Sequence, residues 1–548
     1  MSLSRVPSLR RLAARATVFA MSAALLSGGT GALLADARAQ ASNALPALGD
    51  SASEDVPINY ERKIGDRIMR EIWRDPQYLD DPVLLEYLRG IWRPLVQASR
   101  VAGNITAELD DRFAFQIFLV RDPSVNAFAL PGGWVGVHLG LLSATHSPDE
   151  LASVLAHELS HVTQRHIARS VSAGKTASLI SMASLLLGII AASRSADAAN
   201  ALITGGQAVS AQGQLNYSRD FEREADRIGF GVLTGAGYAA TGMSQMFETL
   251  LRASRLNDSQ NFPYLRTHPL STERIGEARA RLGVDAGSLA MPSRPLVHAL
   301  MQARARVLMD PTANALQRQQ ASDAASAPSS AGTPGDRLAA AYASALASVL
   351  LKDWSRAEAA LAVARPIAAG DAAATRVLDL LAAEALIARA NTGDAAAAAR
   401  TGELVDTLSR SLGARESRPV LFYSAQRALV PGSTAEQQKS AADRLQTWVA
   451  LHPADAGAWQ LLAQFWERLG ERLRAVRAGA EARAAIGDLP GAIERLRAGQ
   501  RLTRSSSADY IEASVIDARL RELQAQRRAE WAEEGRTTPP PEDRPIPR

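Results

Sequence analysis

The sequence SPDELASVLAHELSHVTQRHIARS, residues 147–170, decides how the N-terminal half of the chain is expected to fold. Its opening SPDE is typical of a helix N-terminus in which Ser147 and Glu150 form a capping box. Leucines at helical spacing then predict a buried stripe along the helix. His157 and His161 are one turn apart, so their imidazoles project from the same side.

The pattern HELSH within this helix indicates metal chemistry. Two imidazoles one turn apart suit a borderline-soft divalent metal, and Zn²⁺ with a water molecule at its open position is the usual occupant. Glu158 follows the first histidine and can take a proton from that water and pass it to a leaving amine, which is the chemistry of peptide hydrolysis. The alternative is that HExxH occurs by chance in a helix that contains histidines.

A catalytic zinc needs a third protein ligand. The segment FEREADRIGF, residues 221–230, offers one 61 residues after His161. Glu222 is the predicted ligand, and Asp226, one turn later, is expected to hydrogen-bond the far nitrogen of a ligating histidine. Glu224 points away from that face. The alternative is an exposed amphipathic helix with solvated acids.

Four segments, NAFALPGG, HELSH, EREADRIG and THPLSTERI, together resemble the gluzincin zinc metallopeptidases of the HtpX type. The resemblance is tight over the N-terminal half and looser over the helical C-terminal half. It implies one zinc ion per chain and endopeptidase activity in the quality control and assembly of outer-membrane β-barrel proteins. Unfolded or misassembled outer-membrane proteins are the implied substrates. The alternative function is a periplasmic chaperone or assembly scaffold with a largely latent protease site.

His268, in the THP sequence, receives its role from this resemblance alone, because a family histidine at this place approaches the active site. If His268 takes the position on zinc where water should bind, four protein ligands close the site and the resting enzyme is latent. If it instead stabilises the tetrahedral intermediate, it is a catalytic residue. Both interpretations stay open at this point.

Length and charge limit the other functions. A chain of 548 residues is long enough for two or three domains. The formal net charge of +4 lies in residues 1–39, which hold five arginines and one aspartate. The remainder is neutral and has no basic stripe interleaved with aromatic residues, so no nucleic-acid partner is expected. The chain has no cysteine and therefore no disulfide.

Residues 1–39 have the features of a cleaved secretory signal peptide. A basic start is followed by an apolar run at residues 16–26 and by Ala37-Arg38-Ala39 before Gln40, which is an A-x-A cleavage site. The apolar run is too short for a membrane anchor. We therefore expect export to the periplasm, with a flexible mature N-terminus at residues 40–60.

A small sheet is expected before the HELSH helix. Its last two strands are joined by a Pro-Gly-Gly sequence that fits a type II turn, which predicts a hairpin. One interpretation is an ordinary hairpin. The other is an edge strand beside the zinc that pairs with the substrate backbone by β-augmentation. The segments with strand composition are residues 113–120, 126–130 and 134–139, and the predicted substrate-binding residues are Gly132, Gly133 and Trp134.

The segment LISMASLLLGIIAA, residues 179–192, is the most apolar run after the leader. Its length is too short to span a bilayer comfortably. It is either a buried helix or a partly exposed segment that contacts unfolded substrate or a membrane surface.

The C-terminal half, from Asp336 to Arg528, is alanine-rich and almost wholly helical in pattern. Trp459, Gly470 and neighbouring small residues have tetratricopeptide spacing, and Gly487 follows Gly470 after 17 residues, half of a 34-residue repeat. A repeat superhelix would present a concave surface to a protein partner. By the resemblance, that partner is the outer-membrane β-barrel assembly machinery. A plain helical bundle is the alternative.

The sequence therefore predicts an α+β zincin-like metallopeptidase domain followed by an all-α tetratricopeptide-like helical repeat domain. The low-complexity stretch rich in Ala and Ser predicts a linker, and the proline-rich end predicts a disordered tail. The predicted parts are a signal peptide at 1–39, a flexible N-terminus at 40–60, the peptidase domain at 61–290, the repeat domain at 291–535 with its linker at 319–335, and the tail at 536–548.

Overall fold

Helices surround a small sheet in the N-terminal half of the chain. The computed structural model describes residues 56–172, 219–256, 263–282, 295–326, 332–410, 417–503 and 510–533, together with residues 536, 538, 540 and 541. In this half the elements are α1 (Ile58–Trp73), β1 (Tyr78–Leu79), α2 (Pro82–Val101), α3 (Ala107–Arg112), β2 (Gln116–Val120), β3 (Ala127–Leu130), β4 (Trp134–His138), α4 (Leu139–Ala144), α5 (Pro148–Thr163), α6 (His166–Ser172), α7 (Arg219–Gly235), α8 (Thr241–Leu256), α9 (Pro263–Thr267) and α10 (Thr272–Ala280).

The sheet has the strand order β1-β2-β4-β3. Strands β2 and β4 are parallel, and the two outer pairs are antiparallel. The predicted hairpin is confirmed as β3 and β4, with Gly132 in the turn at φ +76°. The prediction that the first strand begins at Phe113 is wrong: Phe113 ends α3, and the strand starts only at Gln116, after Phe115 at φ +44°. The N-terminal half is thus α+β.

Helix α5, which carries HELSH, is buried along almost its whole length. The hydroxyl of Ser147 accepts a hydrogen bond from the Glu150 amide at 3.2 Å, with proline in the first turn, so the predicted helix start is confirmed. The reciprocal half of the predicted capping box is wrong. The Glu150 carboxylate accepts instead from the amide of His146, one residue before the cap, at 2.8 Å.

Helices alone make up the described C-terminal half, where each helix packs mainly on its neighbours in sequence. The predicted linker at 319–335 contains the end of α12 and a 3₁₀ helix, Ala321–Ser326. The helices are α11 (Leu296–Met309), α12 (Ala313–Gln320), α13 (Pro334–Leu350), α14 (Trp354–Ala368), α15 (Ala372–Ala390), α16 (Ala395–Arg410), α17 (Arg418–Leu429), α18 (Ala435–Leu451), α19 (Ala456–Arg468), α20 (Arg472–Ala485), α21 (Leu489–Thr503) and α22 (Tyr510–Glu533).

The two halves share one hydrophobic core, which extends from the sheet and α5 through α11 to α17. A buried ionic cluster, called here the joint, lies on this path and consists of Asp81, Arg304, Tyr342, Glu384 and Tyr423. Arg304 donates to both Asp81 oxygens, with Nη2 2.7 Å from Oδ2, and its Nη1 is 3.0 Å from Glu384 Oε2 and 3.1 Å from the Tyr342 hydroxyl. Tyr423 donates to the same Glu384 oxygen. The joint therefore connects α2 with the C-terminal helices.

Four predicted features fall wholly or largely outside the described residues: the signal peptide, residues 40–55 of the flexible N-terminus, the apolar segment at 179–192 and most of the tail. The predicted end of the flexible N-terminus at residue 60 is wrong, because α1 begins at Ile58. Among the helices that are described, none combines the length and hydropathy that crossing a bilayer requires.

Candidate metal centre

Helix α5 supplies two histidines to a buried polar cluster. The Nε2 atoms of His157 and His161 are 3.0 Å apart, because one helical turn places both rings on the same side. Their side chains are at most 3% exposed. Two buried ring nitrogens at this distance share either a proton or a metal ion.

Helix α7 crosses α5 closely enough to bring in a carboxylate. A side chain at Gly229 would place its Cβ 3.2 Å from both the Ala156 oxygen and the His157 nitrogen, so glycine permits this approach. About two turns earlier, Glu222 lies between the histidines, with Oε2 3.4 Å from His157 Nε2 and Oε1 3.5 Å from His161 Nε2.

His268 joins the same cluster from the segment after α9. Its Nδ1 lies 2.9 Å from Glu222 Oε1 and 3.3 Å from His157 Nε2. The sequence predicts residues 257–267 as a loop, but the last part of that prediction is wrong because α9 spans Pro263–Thr267. The buried ring of Tyr264 in α9 packs 4.7 Å from the His268 ring, centroid to centroid, and this contact holds the histidine against α5.

Four side chains thus form a set that could hold a metal ion. His157, His161, Glu222 and His268 each offer one nitrogen or oxygen, and these atoms lie within 4.8 Å of one another. Imidazole nitrogens and a carboxylate oxygen are donors that suit divalent transition metals. The structure therefore brings together the three predicted ligands and adds His268 to them.

Asp226 and Arg274 form the outer wall of the cluster. Asp226 Oδ1 lies 3.0 Å from His157 Nδ1, the nitrogen that faces away from the cluster. Arg274 on α10 donates to both Asp226 oxygens, at 2.6 and 2.8 Å, and its Nη1 lies 2.8 Å from Glu222 Oε2. The same Nη1 donates to the Pro269 carbonyl, which fixes the backbone beside His268. Sequence reasoning missed Arg274, since no spacing rule links it to HExxH.

Burial and charge shift the pKa values of the cluster in opposite directions. Burial acts to lower the pKa of His157, but hydrogen bonds with Asp226 and Glu222 outweigh it and raise this pKa to about 9. Burial favours a raised pKa for Glu222, yet the neighbouring His268 and His157 hold it well below its usual value. Burial lowers the pKa of His161, and the charge of His157 adds to this effect. The ionised carboxylates of Glu222 and Asp226 therefore favour positive charge in the space beside them, as the acidic ligands of a cation site do.

Glu158 lies beside the four donors and is fully buried. Burial raises its pKa, while the charges of His268 and His157 act to lower it. His268 Nε2 is 3.5 Å from Oε1, and neither oxygen has a hydrogen bond of good geometry from another side chain among the described residues. A buried carboxylate of this kind is poised to accept a proton or a hydrogen bond.

The sheet presents an edge to this centre. Strand β3 is the last strand of the sheet, packs against α5, and its Ala129 amide approaches the Glu158 carboxylate. The predicted substrate-binding residues lie beyond β3 and already have partners: the Gly132 and Gly133 carbonyls accept from the Ala114 and Gln116 amides. Trp134 donates its indole N–H to Asp66 at 3.0 Å.

His166 also faces the centre, although its sequence context indicates a surface or packing role. Its Nδ1 lies 2.8 Å from His161 Nδ1, and its Nε2 lies 3.1 Å from Glu224 Oε2. Hydrogen bonds from His166 and Arg169 lower the pKa of Glu224 to about 2. The signal in the sequence is the five-residue spacing from His161, which none of the other non-ligand histidines shares.

Comparison with known proteins agrees with this geometry. Residues 96–282 match peptidase family M48. The chain is 29% identical to the β-barrel assembly-enhancing protease of Escherichia coli (strain K12) over 502 residues, which cover 92% of this chain and 96% of the relative. Identity to the enzyme of the same name in Yersinia pestis is 30% over 498 residues, 90% of this chain and 95% of the relative. Identity to the mitochondrial metalloendopeptidase OMA1 of Saccharomyces cerevisiae is 30% over 39% of this chain and 61% of that protein. The chain is therefore a metalloendopeptidase that belongs to the β-barrel assembly-enhancing proteases and carries a peptidase region of family M48.

Proposed function

We propose that this chain is an exported, zinc-dependent endopeptidase that acts on outer-membrane β-barrel proteins during their assembly. The observation that carries the proposal is the convergence of His157, His161 and Glu222 in one buried cluster with Glu158 beside it. Two imidazoles and one glutamate are the protein ligands of a large class of catalytic zinc sites. We expect one Zn²⁺ per chain, which supplies Lewis acidity towards a carbonyl group and a water molecule.

Glu158 is the proposed general base. Its carboxylate adjoins the first histidine ligand and faces the donor cluster, so it can take a proton from the attacking water and deliver it to the leaving amine. Asp226 holds His157 through Nδ1, which leaves Nε2 for the metal, and Arg274 holds Asp226 in turn. These residues together keep the reacting groups in a fixed, water-poor position.

His268 is proposed to keep the resting site closed. Its ring nitrogens lie among the other donors, where the imidazole occupies the space that a water or substrate group needs. Cleavage then requires the segment after α9 to move, and a partner or substrate that prefers the open form supplies this shift. The alternative, in which His268 stabilises the tetrahedral intermediate, is supported by its 3.5 Å distance from Glu158.

The substrate is proposed to pair with the outer edge of β3, which is the last strand of the described sheet. Pairing through the backbone depends little on the side chains of the substrate, which suits a quality-control protease that cleaves many different proteins. We propose that Gly132, Gly133 and Trp134 stabilise the turn that follows β3 and thereby hold this edge strand in position. Their polar groups are hydrogen-bonded within the fold.

The C-terminal helices are proposed to be tetratricopeptide-like repeats that hold a protein partner. Helices that pack on their sequence neighbours leave a long side surface, which is how repeat proteins bind partners. The named relatives, which match over at least 90% of this chain, favour the outer-membrane β-barrel assembly machinery as that partner. We retain 61–290 and 291–535 as the proposed domain limits. The shared core argues against testing them by deletion, because removing α13 to α22 would expose buried surface of α2 and α11.

A chaperone or scaffold with a largely latent site is the second candidate function. The position of His268 in the donor cluster favours it, because a site closed by four side chains turns over slowly until it opens. The two functions are compatible in one chain, since the helices can hold a client whether or not it is cut.

The test is Glu158→Gln in the mature protein, with Glu108→Gln on the exposed surface of α3 as the matched control. We expect Glu158→Gln to lose about 10²–10⁴-fold in cleavage of an unfolded protein, since the base is removed. About one zinc per chain should remain by metal analysis, because no ligand is lost. Unchanged cleavage would reject the mechanism.

The same variant identifies substrates and location. Expressed in the envelope, Glu158→Gln should retain uncut outer-membrane proteins that the parent releases, and mass spectrometry names them. N-terminal sequencing of the envelope fraction should begin at or near Gln40, and a chain that retains Met1 would refute export by a cleaved signal.

A further inference from the structure

The chain reverses sharply directly after the second histidine of HELSH. Arg165, between α5 and α6, has φ +51°, a left-handed conformation that is costly for a residue with a side chain. Its guanidinium is buried and bonds to Glu61, with Nε 3.0 Å from Oε2, and to the Val56 carbonyl. These contacts hold the turn in place. Because the chain reverses there, His166 at the start of α6 faces back towards His161.

His166 connects His161 to a carboxylate on the opposite helix. Its Nδ1 lies 2.8 Å from His161 Nδ1, and its Nε2 lies 3.1 Å from Glu224 Oε2 on α7. Arg169 donates to the same Glu224 oxygen at 2.8 Å. The His166 ring is fully buried and stacks on Phe221, with centroids 4.4 Å apart and planes 7° apart.

The donors and acceptors of this chain of contacts have one consistent assignment. A carboxylate that receives the Arg169 N–H is an acceptor, so the His166 Nε2 carries the proton of that contact. In neutral His166, Nδ1 is then an acceptor, and the proton between the two Nδ1 atoms belongs to His161. A histidine that donates from Nδ1 presents the Nε2 lone pair on the other side of its ring, towards Glu222 and His157.

We propose that His166 and Glu224 are positioning residues that fix the tautomer and ring orientation of His161 for metal binding. The inference deepens the proposed zinc site and rests on it. His157 and His161 are then oriented by two different devices. Asp226, held by Arg274, contacts His157 directly, whereas Glu224, held by Arg169, acts on His161 through an intervening imidazole. Both carboxylates come from α7, where Glu224 and Asp226 lie on either side of Ala225.

A packing role for His166 would give different results. His166→Phe keeps an aromatic ring on Phe221 but removes both nitrogens. Glu224→Ala removes the carboxylate and leaves His166 in place, while Glu224→Gln retains a hydrogen-bond acceptor without the charge. Asp220→Ala is the matched control, since Asp220 is an exposed acid on the same helix, with a side chain 86% exposed and no contact to a histidine among the described residues.

The experiment measures the Kd of the full-length mature protein for Zn²⁺ by chelator competition, the visible spectrum of its Co²⁺ form, and the Tm of the metal-free protein. We expect His166→Phe and Glu224→Ala to weaken Zn²⁺ binding about 10- to 100-fold and to alter the Co²⁺ spectrum. Glu224→Gln should recover part of the affinity, and Asp220→Ala should match the parent.

Two outcomes overturn the inference. One is a parental Kd and Co²⁺ spectrum in both His166→Phe and Glu224→Ala. The other is a lowered Tm of the metal-free variants without any change in Kd, which would show packing alone. A parent that binds no stoichiometric Zn²⁺ would instead refute the proposed zinc site, so the two failures are distinguishable.

Discussion

Two buried arginines, Arg274 at the metal centre and Arg304 at the joint, lie among carboxylates in the same chain. At the joint, the acidic oxygens that face the arginine accept hydrogen bonds from Arg304, from the Tyr423 hydroxyl and from a backbone amide of α2. At the metal centre, Arg274 holds Asp226 and one side of Glu222, while Glu158 is buried with no comparable side-chain donor in the part of the chain that the structure describes. A saturated ionic cluster stabilises a contact between elements, whereas a cluster with excess acceptors and several imidazoles attracts a cation.

The largest expected effect separates the two clusters by metal content. Glu222→Ala should reduce zinc from about one per chain to near zero and abolish cleavage, because it removes the carboxylate that lies against His157, His161 and His268 and leaves no negative charge among these buried imidazoles. The matched change at the joint, Glu384→Ala, should keep its zinc. Metal analysis of both purified proteins decides this. Full zinc occupancy in Glu222→Ala would move the ligand role to another acid.

The second expected effect concerns the free energy of unfolding. Arg304→Met leaves the buried Asp81 and the half-buried Glu384 without their cation, and breaking a buried pair such as Asp81–Arg304 costs about 3–5 kcal/mol. Denaturant unfolding of the parent and the variant measures the loss. The folded fraction should still bind zinc, since Arg304 contacts no member of the donor cluster among the described residues. A loss below about 1 kcal/mol would show that the joint is not a stabilising contact.

The smallest expected effect is on the rate of cleavage when the centre is opened. His268→Ala should retain zinc through the other three ligands and cleave an unfolded protein faster than the parent. If the closed form is favoured by about 1.4 kcal/mol, the acceleration is about tenfold. Rates measured side by side, each per bound zinc, provide the answer. Slower cleavage with zinc retained would reject closure and favour a catalytic role for His268.

Local patterns made several features of this chain predictable. The start of α5, the hairpin and the all-helical C-terminal half follow from residues that are close together in sequence, where capping, turn chemistry and periodicity act over a few positions. The resemblance of a few motifs was also enough to identify the metallopeptidase family. The pairing of Glu222 with HExxH, in contrast, came from counting ligands rather than from any local rule.

The remaining parts of the centre depend on contacts between distant residues. Arg274 and Tyr264 have no periodic or spacing signal, and each takes its place because helices α5, α7, α9 and α10 pack together. The position of Glu224 shows the reason. On an isolated helix the Glu224 side chain points away from the face that carries Glu222. In the folded chain α6 turns back after Arg165, so that His166 contacts Glu224 on that other face.

The sequence by itself determined the HExxH pattern, the start of the helix that carries it and the helical character of the C-terminal half, because these properties depend on side-chain type and on spacing within one element. Tertiary structure alone decided which buried charges are satisfied and which remain available to a cation. That difference depends on the packing of several helices, since desolvation makes each buried carboxylate costly until a specific partner from another element reaches it.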